Sequence, residues 1–210
     1  MAQQVIAANT TLELVLVDEG QTDYHFIQEA GSILRIHLIN FVSAKNNIIV
    51  EQNGKNCRTE IYALALVRGE DEVSTQTHVY HNVGEGYSHQ LVKYVLADKS
   101  RGEFYGELKI APDAQHTEAY QTNRNILLSE SAIMRTRPQL EIYADDVKAS
   151  HGATTGQLDE SSLFYMQQRC IGKEQGRRLL LQAFMADVVD SIGDENKRNQ
   201  LLDTIDSIIQ

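Results

Sequence analysis

The chain has 210 residues, 42% of them hydrophobic, enough to bury a sizeable core as one domain or as one large and one small. With 19 Lys and Arg against 29 Asp and Glu it carries a formal net charge of -10, so it repels phosphate backbones and anionic lipid headgroups, and nucleic acid is excluded as an expected partner. Its two cysteines, Cys57 and Cys170, lie far apart with no CxxC partner, which reads as a reduced cytoplasmic protein and not a disulfide scaffold.

The N-terminal "MAQQVIAANTT" lacks the basic flank and apolar stretch of a leader, and the longest apolar run, Ile61 to Val67, is too short to span a bilayer. From Thr10 to about Gln157 the pattern has period two. "TLELVLVDEG", "SILRIHLINFV", "NNIIVEQNG", "TEIYALALVRG", "HQLVKYVLAD" and "QLEIYADDV" alternate apolar with polar residues, as half-buried strands do. Turn signals separate them at Gly20, Gly31, Asn46-Asn47, Gly54, Gly69, Gly84, Gly86, Gly102, Pro112-Asp113 and Pro138. The result is an array of many short strands, with sandwich, barrel and solenoid all open.

After Gln157 the period changes. "LDESSLFYMQQRC" opens on Asp159, a good N-cap, and sets Leu163, Phe164 and Met166 toward one side of a short helix. In the next segment Leu180, Phe184, Val188 and Ile192 recur every four positions beside Leu181 and Val189, and Gly193 is a natural stop. Leu201, Leu202, Ile205, Ile208 and Ile209 form the stripe of a last helix. Residues 158–210 thus read as a small helical subdomain after a β part over 1–157. It is too small to bury its stripes alone, so they dock on the β part or on another protein.

The chemistry-bearing residues are sparse. His78 and His81 in "THVYH" fall on opposite faces of a strand, which defeats chelation by that pair and leaves them as surface or turn histidines. His25, His37, His89 and His116 stand isolated, in structural or solvated roles. "HNVGEGYSH" has neither the Lys-Ser/Thr nor the following helix of a phosphate loop, and no GxSxG, HExxH or Walker motif occurs. The stretch "ADDVKASHGATTGQ", Ala144 to Gln157, differs in kind. If "LEIYADDVKASH" is one strand, Tyr143, Asp145, Val147, Ala149 and His151 share one face, and neither face is cleanly apolar. Such a strand fits an exposed edge that pairs with another chain; the plainer reading has solvated aspartates and His151 capping a turn into "GATTG".

These residues also carry a resemblance. Gly106 to Arg169 is similar to the SufB/SufD family of the SUF iron–sulfur cluster assembly system, most strongly in "AYQTNRNILLS", "LEIYADDVKASHGATTGQLDE" and "LFYMQQR". It continues through "ALVRGEDEVSTQTHVYH" and into the helix around Ala183, and before about residue 60 it is a compatibility of pattern only. The resemblance implies a mainly β fold, a right-handed parallel β-helix (β-solenoid) followed by a small C-terminal α-helical subdomain. Family members are about twice this length, so the chain corresponds to a C-terminal half, a cut that a solenoid of neighbour-contacting coils tolerates.

It further implies a non-catalytic scaffold. Such a subunit pairs with a SufB-like protein through the β-helix, or forms a homodimer, and carries a SufC-like ATPase on its C-terminal helices. No cofactor is tightly bound; iron or a nascent cluster is held only transiently, in complex with SufB. The family motif near the junction contains Cys-Ser-His, which here is Ala149-Ser150-His151. His151 is therefore the candidate iron or cluster ligand, while Ala149 cannot ligate iron, so any thiolate comes from the partner. Cys170 stands where relatives usually have glycine after "LFYMQQR", a helix end favouring a left-handed backbone, and is read as structural. The alternative is a solenoid lyase or hydrolase acting on polysaccharide. It needs convergent carboxylates and stacking aromatics, but the chain has no Trp and Asp145-Asp146 splits across two strand faces.

Overall fold

A computed structural model describes residues 2–209. Among them are twelve strands: β1 (Ala2–Ile6), β2 (Thr11–Val17), β3 (Gln21–Gln28), β4 (Ile33–Asn40), β5 (Ala44–Gln52), β6 (Arg58–Val67), β7 (Glu72–His81), β8 (Tyr87–Leu96), β9 (Arg101–Ile110), β10 (Thr117–Leu127), β11 (Ile133–Ile142) and β12 (Val147–Gly156). Three helices follow, α1 (Glu160–Gln168), α2 (Lys173–Asp190) and α3 (Glu195–Ile208). Odd-numbered strands form one six-stranded sheet in chain order and even-numbered strands form the other. Every ladder is parallel, so each coil of chain lays one strand on each sheet and the molecule is a β-solenoid.

Alternation decides what each strand offers. Leu34, Ile36 and Leu38 of β4, Ile61, Ala63 and Ala65 of β6, and Val92, Tyr94 and Leu96 of β8 point into the space between the sheets. There they meet Phe26, Ile48, Val50, Val79, Phe104 and Leu108 of the odd sheet. Fully burying each large apolar side chain stabilises by about 1.5–3 kcal/mol. The intervening residues of the even sheet face outward, and Ile39, Leu64, Leu66, Leu91 and Val95 make that face apolar. On it lie Leu181, Met185, Val188, Val189 and Ile192 of α2 and its C-terminal end, with Leu201 and Ile205 of α3. Of the two docking possibilities for the helical stripes, the chain's own β part is the one realised.

Several expectations are corrected. Asn46-Asn47 is not a turn but lies inside β5, where Asn46 points inward and its amide donates to Asn40 Oδ1 at 2.8 Å. Gly102 and Pro138 also sit within strands, β9 and β11. Pro138 is tolerated because β11 pairs with β9 alone and is an edge strand. "LEIYADDVKASH" is not one strand: β11 ends at Ile142, residues 143–146 bend, and β12 begins at Val147 on the other sheet. "GATTG" belongs to β12, so His151 caps no turn. On α1, Leu163 is buried but Phe164 is 63% exposed, so the two do not share a face.

Candidate functional site

The last coil, β11 and β12, has no coil beyond it among the described residues, and each strand presents one unpaired edge. The bend between them is held by local bonds: Asp146 O accepts from His116 N at 2.6 Å, Asp146 N donates to Gln115 Oε1 at 2.9 Å, and His116 Nδ1 lies 3.0 Å from Asp146 Oδ2. Asp145 and Asp146 are both exposed here, in the bend and not on a strand. Asp146 thereby ties down the chain just before β12 starts.

On β12, Ala149 lies beside Ala119 of β10 and His151 beside Gln121. Val147 and Ala149 pack against the interior core, and His151 follows at the next two-residue interval. Ala149 and His151 therefore do share a face. His151 is exposed and has no hydrogen-bond or ion-pair partner among the described residues. Nor do the described residues hold any group of three His, Cys, Asp or Glu side chains placed to bind a metal. His151 thus offers one imidazole at an open edge, with a methyl group at position 149.

Of the other histidines, His89 stands edge-on to the Tyr62 ring at 5.9 Å, and the rest have polar partners. His25 Nε2 lies 2.8 Å from Glu51 Oε1, and His78 Nδ1 lies 2.8 Å from Glu107 Oε2, both on the outer face of the odd sheet. Beside the second pair the Tyr80 hydroxyl is pushed up to about 12, chiefly by burial and then by the Glu107 charge. His81 is not a surface or turn residue: it is wholly buried, its Nε2 2.8 Å from Ser88 Oγ, and burial pushes its pKa down to about 4. His37, also wholly buried, shares a 3.0 Å hydrogen bond with the Ser191 hydroxyl at the end of α2. Cys57 is buried, with its thiol donating to Glu29 O at 3.1 Å, while Cys170 is exposed at a φ of +62° just after α1.

Polar residues run through the solenoid interior. The Thr59 hydroxyl accepts from Gln52 and donates to Gln28, Thr77 donates to Gln90, and Asn123 and Asn125 exchange hydrogen bonds. One member differs. Gln121 is 1% exposed, yet neither its Oε1 nor its Nε2 has a partner. Nothing in the sequence pattern marks it, and only the register shows that it sits beside His151. A second missed group is Lys93, 3% exposed at its side chain beneath α2, donating to Phe184 O at 2.5 Å and ion-paired with Asp187.

The helices leave another surface open. Asp159 caps α1 by accepting from Ser161 N and Ser162 N, and these hydroxyl and amide donors hold its carboxyl down at about 2. Phe164 and Tyr165 then face outward, with Leu179 of α2 and Leu202 of α3 partly exposed.

Comparison with known proteins gives a consistent result. The family model described as "SUF system FeS cluster assembly, SufBD core domain" matches residues 3–184, so the similarity reaches back almost to the first residue and not only to about residue 60. The iron-sulfur cluster assembly protein SufD of Escherichia coli is 34% identical over 94% of the chain and 48% of its own length. An iron-sulfur cluster assembly SufBD family protein of Synechocystis is 34% identical over 71% of the chain and 33% of its own length. SufD of Bacillus subtilis is 35% identical over 66% of the chain and 32% of its own length. The chain spans about half the length of these curated relatives, or less.

Proposed function

The chain belongs to the SufBD core family of the SUF iron–sulfur cluster assembly system, and we propose that within it the chain acts as a non-catalytic scaffold that pairs with a SufB-like protein. The observation that carries this reading is the open coil: two unpaired parallel edges, with His151 exposed on one of them. Unpaired backbone N–H and C=O groups are a template for a strand from another chain. A partner laid on β12 would come to lie beside His151.

His151 is the residue proposed to meet iron or a nascent cluster there, since a neutral imidazole ligates iron in clusters where His replaces Cys. With Ala149 at the neighbouring inward position, the thiolates are supplied by the partner. The SufC-like ATPase is proposed to dock on α1, through Phe164 and Tyr165, because the stripes of α2 and α3 are already occupied by the even sheet. The same docked stripes make point substitutions on α1 a cleaner test than removal of the whole tail.

The experiment is anaerobic co-purification and cluster reconstitution with SufB-like and SufC-like partners. His151→Ala is expected to pair normally and to lose assembly; full assembly by this variant refutes the role of His151. Failure of the chain to co-purify with either partner refutes the scaffold reading.

A further inference from the structure

Gln121 is a buried amide with nothing to bond to. A buried donor or acceptor left unpaired costs about 1–3 kcal/mol, and here both atoms of one side chain are unpaired, in the rung directly next to the open coil. Its place is built and not accidental. The amide crosses the interior to the odd sheet, where Gly106 leaves room for it; a Cβ on Gly106 would collide with Gln121 Nε2 and with the Phe104 ring. The next position on that row is Pro138, which brings no N–H. Gln90, one rung further in, does have a partner, its Oε1 accepting from the Thr77 hydroxyl at 2.6 Å. Along the inward row Gln90, Gln121, His151, Gln90 lacks a partner only at Nε2, whereas the amide flanking the unpaired imidazole lacks one at both atoms.

We propose that Gln121 is a positioning residue for His151, its Oε1 accepting the ring N–H of His151 so that the lone pair of the other ring nitrogen faces the open edge. The inference rests on the reading of His151 given above. Neighbouring chains of a parallel ladder run about 4.8 Å apart, within reach of a glutamine that turns about its own side-chain torsions. An imidazole that ligates metal is normally oriented by an acceptor on its second nitrogen, and losing that acceptor typically lowers affinity or activity 10–100-fold. Among the described residues His151 has no such acceptor. Gln121 is the unpaired one nearest to it in register.

The test compares Gln121→Met, His151→Ala and the double variant in the full chain, with thermal unfolding of the chain alone and anaerobic cluster reconstitution with its partners. Methionine keeps the volume and removes the unpaired amide, so Tm is expected to rise while assembly falls about tenfold. A residue that serves only the fold moves both readouts the same way. The double variant is expected to assemble within about twofold of His151→Ala, because Gln121 acts through the imidazole. Gln121→Asn, whose amide is one methylene too short, is expected to lose assembly as Gln121→Met does. Unchanged assembly in Gln121→Met, or additive losses in the double variant, overturns the inference while leaving His151 in place; full assembly by His151→Ala overturns both.

Discussion

The contact between the helices and the even sheet contains one charged pair whose members sit in very different surroundings, and that difference makes a sharp forecast. Lys93 is 3% exposed at its side chain while Asp187 is 51% exposed. The ammonium also donates to Phe184 O at 2.5 Å and lies 4.7 Å from the centroid of the Phe184 ring. Burial lowers the Lys93 pKa although Asp187 pulls it upward, so desolvation outweighs the pairing. Asp187→Ala leaves a buried cation with a carbonyl and an aromatic face. Removing one partner of a fully buried pair costs 3–5 kcal/mol, and water entering at the exposed aspartate side reduces this to about 2 kcal/mol. Lys93→Met removes the charge, keeps the stem packed under α2 and lets Asp187 turn to water, for a change below about 1 kcal/mol. In a chain of this size the aspartate variant should therefore melt about 4–8 °C lower than wild type, and the lysine variant within a few degrees of it. The depressed lysine pKa adds a sign: the penalty in Asp187→Ala is largest where Lys93 is charged and relaxes as the pH rises toward the ordinary value of 10.5. Thermal unfolding followed by circular dichroism reads all three. A Lys93→Met variant that loses as much stability as Asp187→Ala refutes the reasoning.

His81 is buried neutral with its pKa at about 4 instead of 6.5. The stability it protects is present above pH 6.5 and is lost as the pH falls toward 4, by about 3 kcal/mol, so His81→Gln should flatten the Tm–pH curve in that window and parallel curves would contradict this. At Gly54 a Cβ would strike the backbone of Ala30 on the neighbouring coil, whereas at Gly152 it meets nothing. Gly54→Ala should lower soluble yield and Tm, with Gly152→Ala near neutral, and equal melting points would show that the turns are not packed as described. Phe164→Ser on the exposed face of α1 should shift stability by less than about 0.5 kcal/mol yet weaken capture of a SufC-like ATPase, an effect absent if docking lies elsewhere.

Individual strands were legible where the interior is apolar and obscured where it is polar, while the solenoid was implied by the family resemblance alone. β4, β6 and β8 stand out because they are apolar on both faces, inward through residues such as Leu34, Ile61 and Val92 and outward through Ile39, Leu64 and Val95 under the helices. β3 and β9 are harder to see because Thr22 and Gln28 point inward among apolar neighbours and Gly102 imitates a turn. Pro138 misled for the opposite reason: it marks an edge, not a break. The parity that puts Ala149 and His151 on one side was readable from spacing. Nothing in the spacing of one strand could show the neighbour of His151, because Gln121 lies 30 residues away and reaches it only through the pairing of β10 with β12.

A stack of coils that touch only their neighbours tends to come apart like a string of separate links. Here α2 and α3 lie across β4, β6 and β8 at once, through Ile39, Leu64, Leu66, Leu91 and Val95, with Val15 of β2 and Ile126 of β10 at the margins, and so act as a splint over successive rungs. Peeling that starts at β12 should therefore stop where the splint begins, and hydrogen exchange should divide the molecule into a slow middle and a fast rim. The rim is where His151 sits, so the rung proposed to receive another chain is free to yield while the rest stays intact.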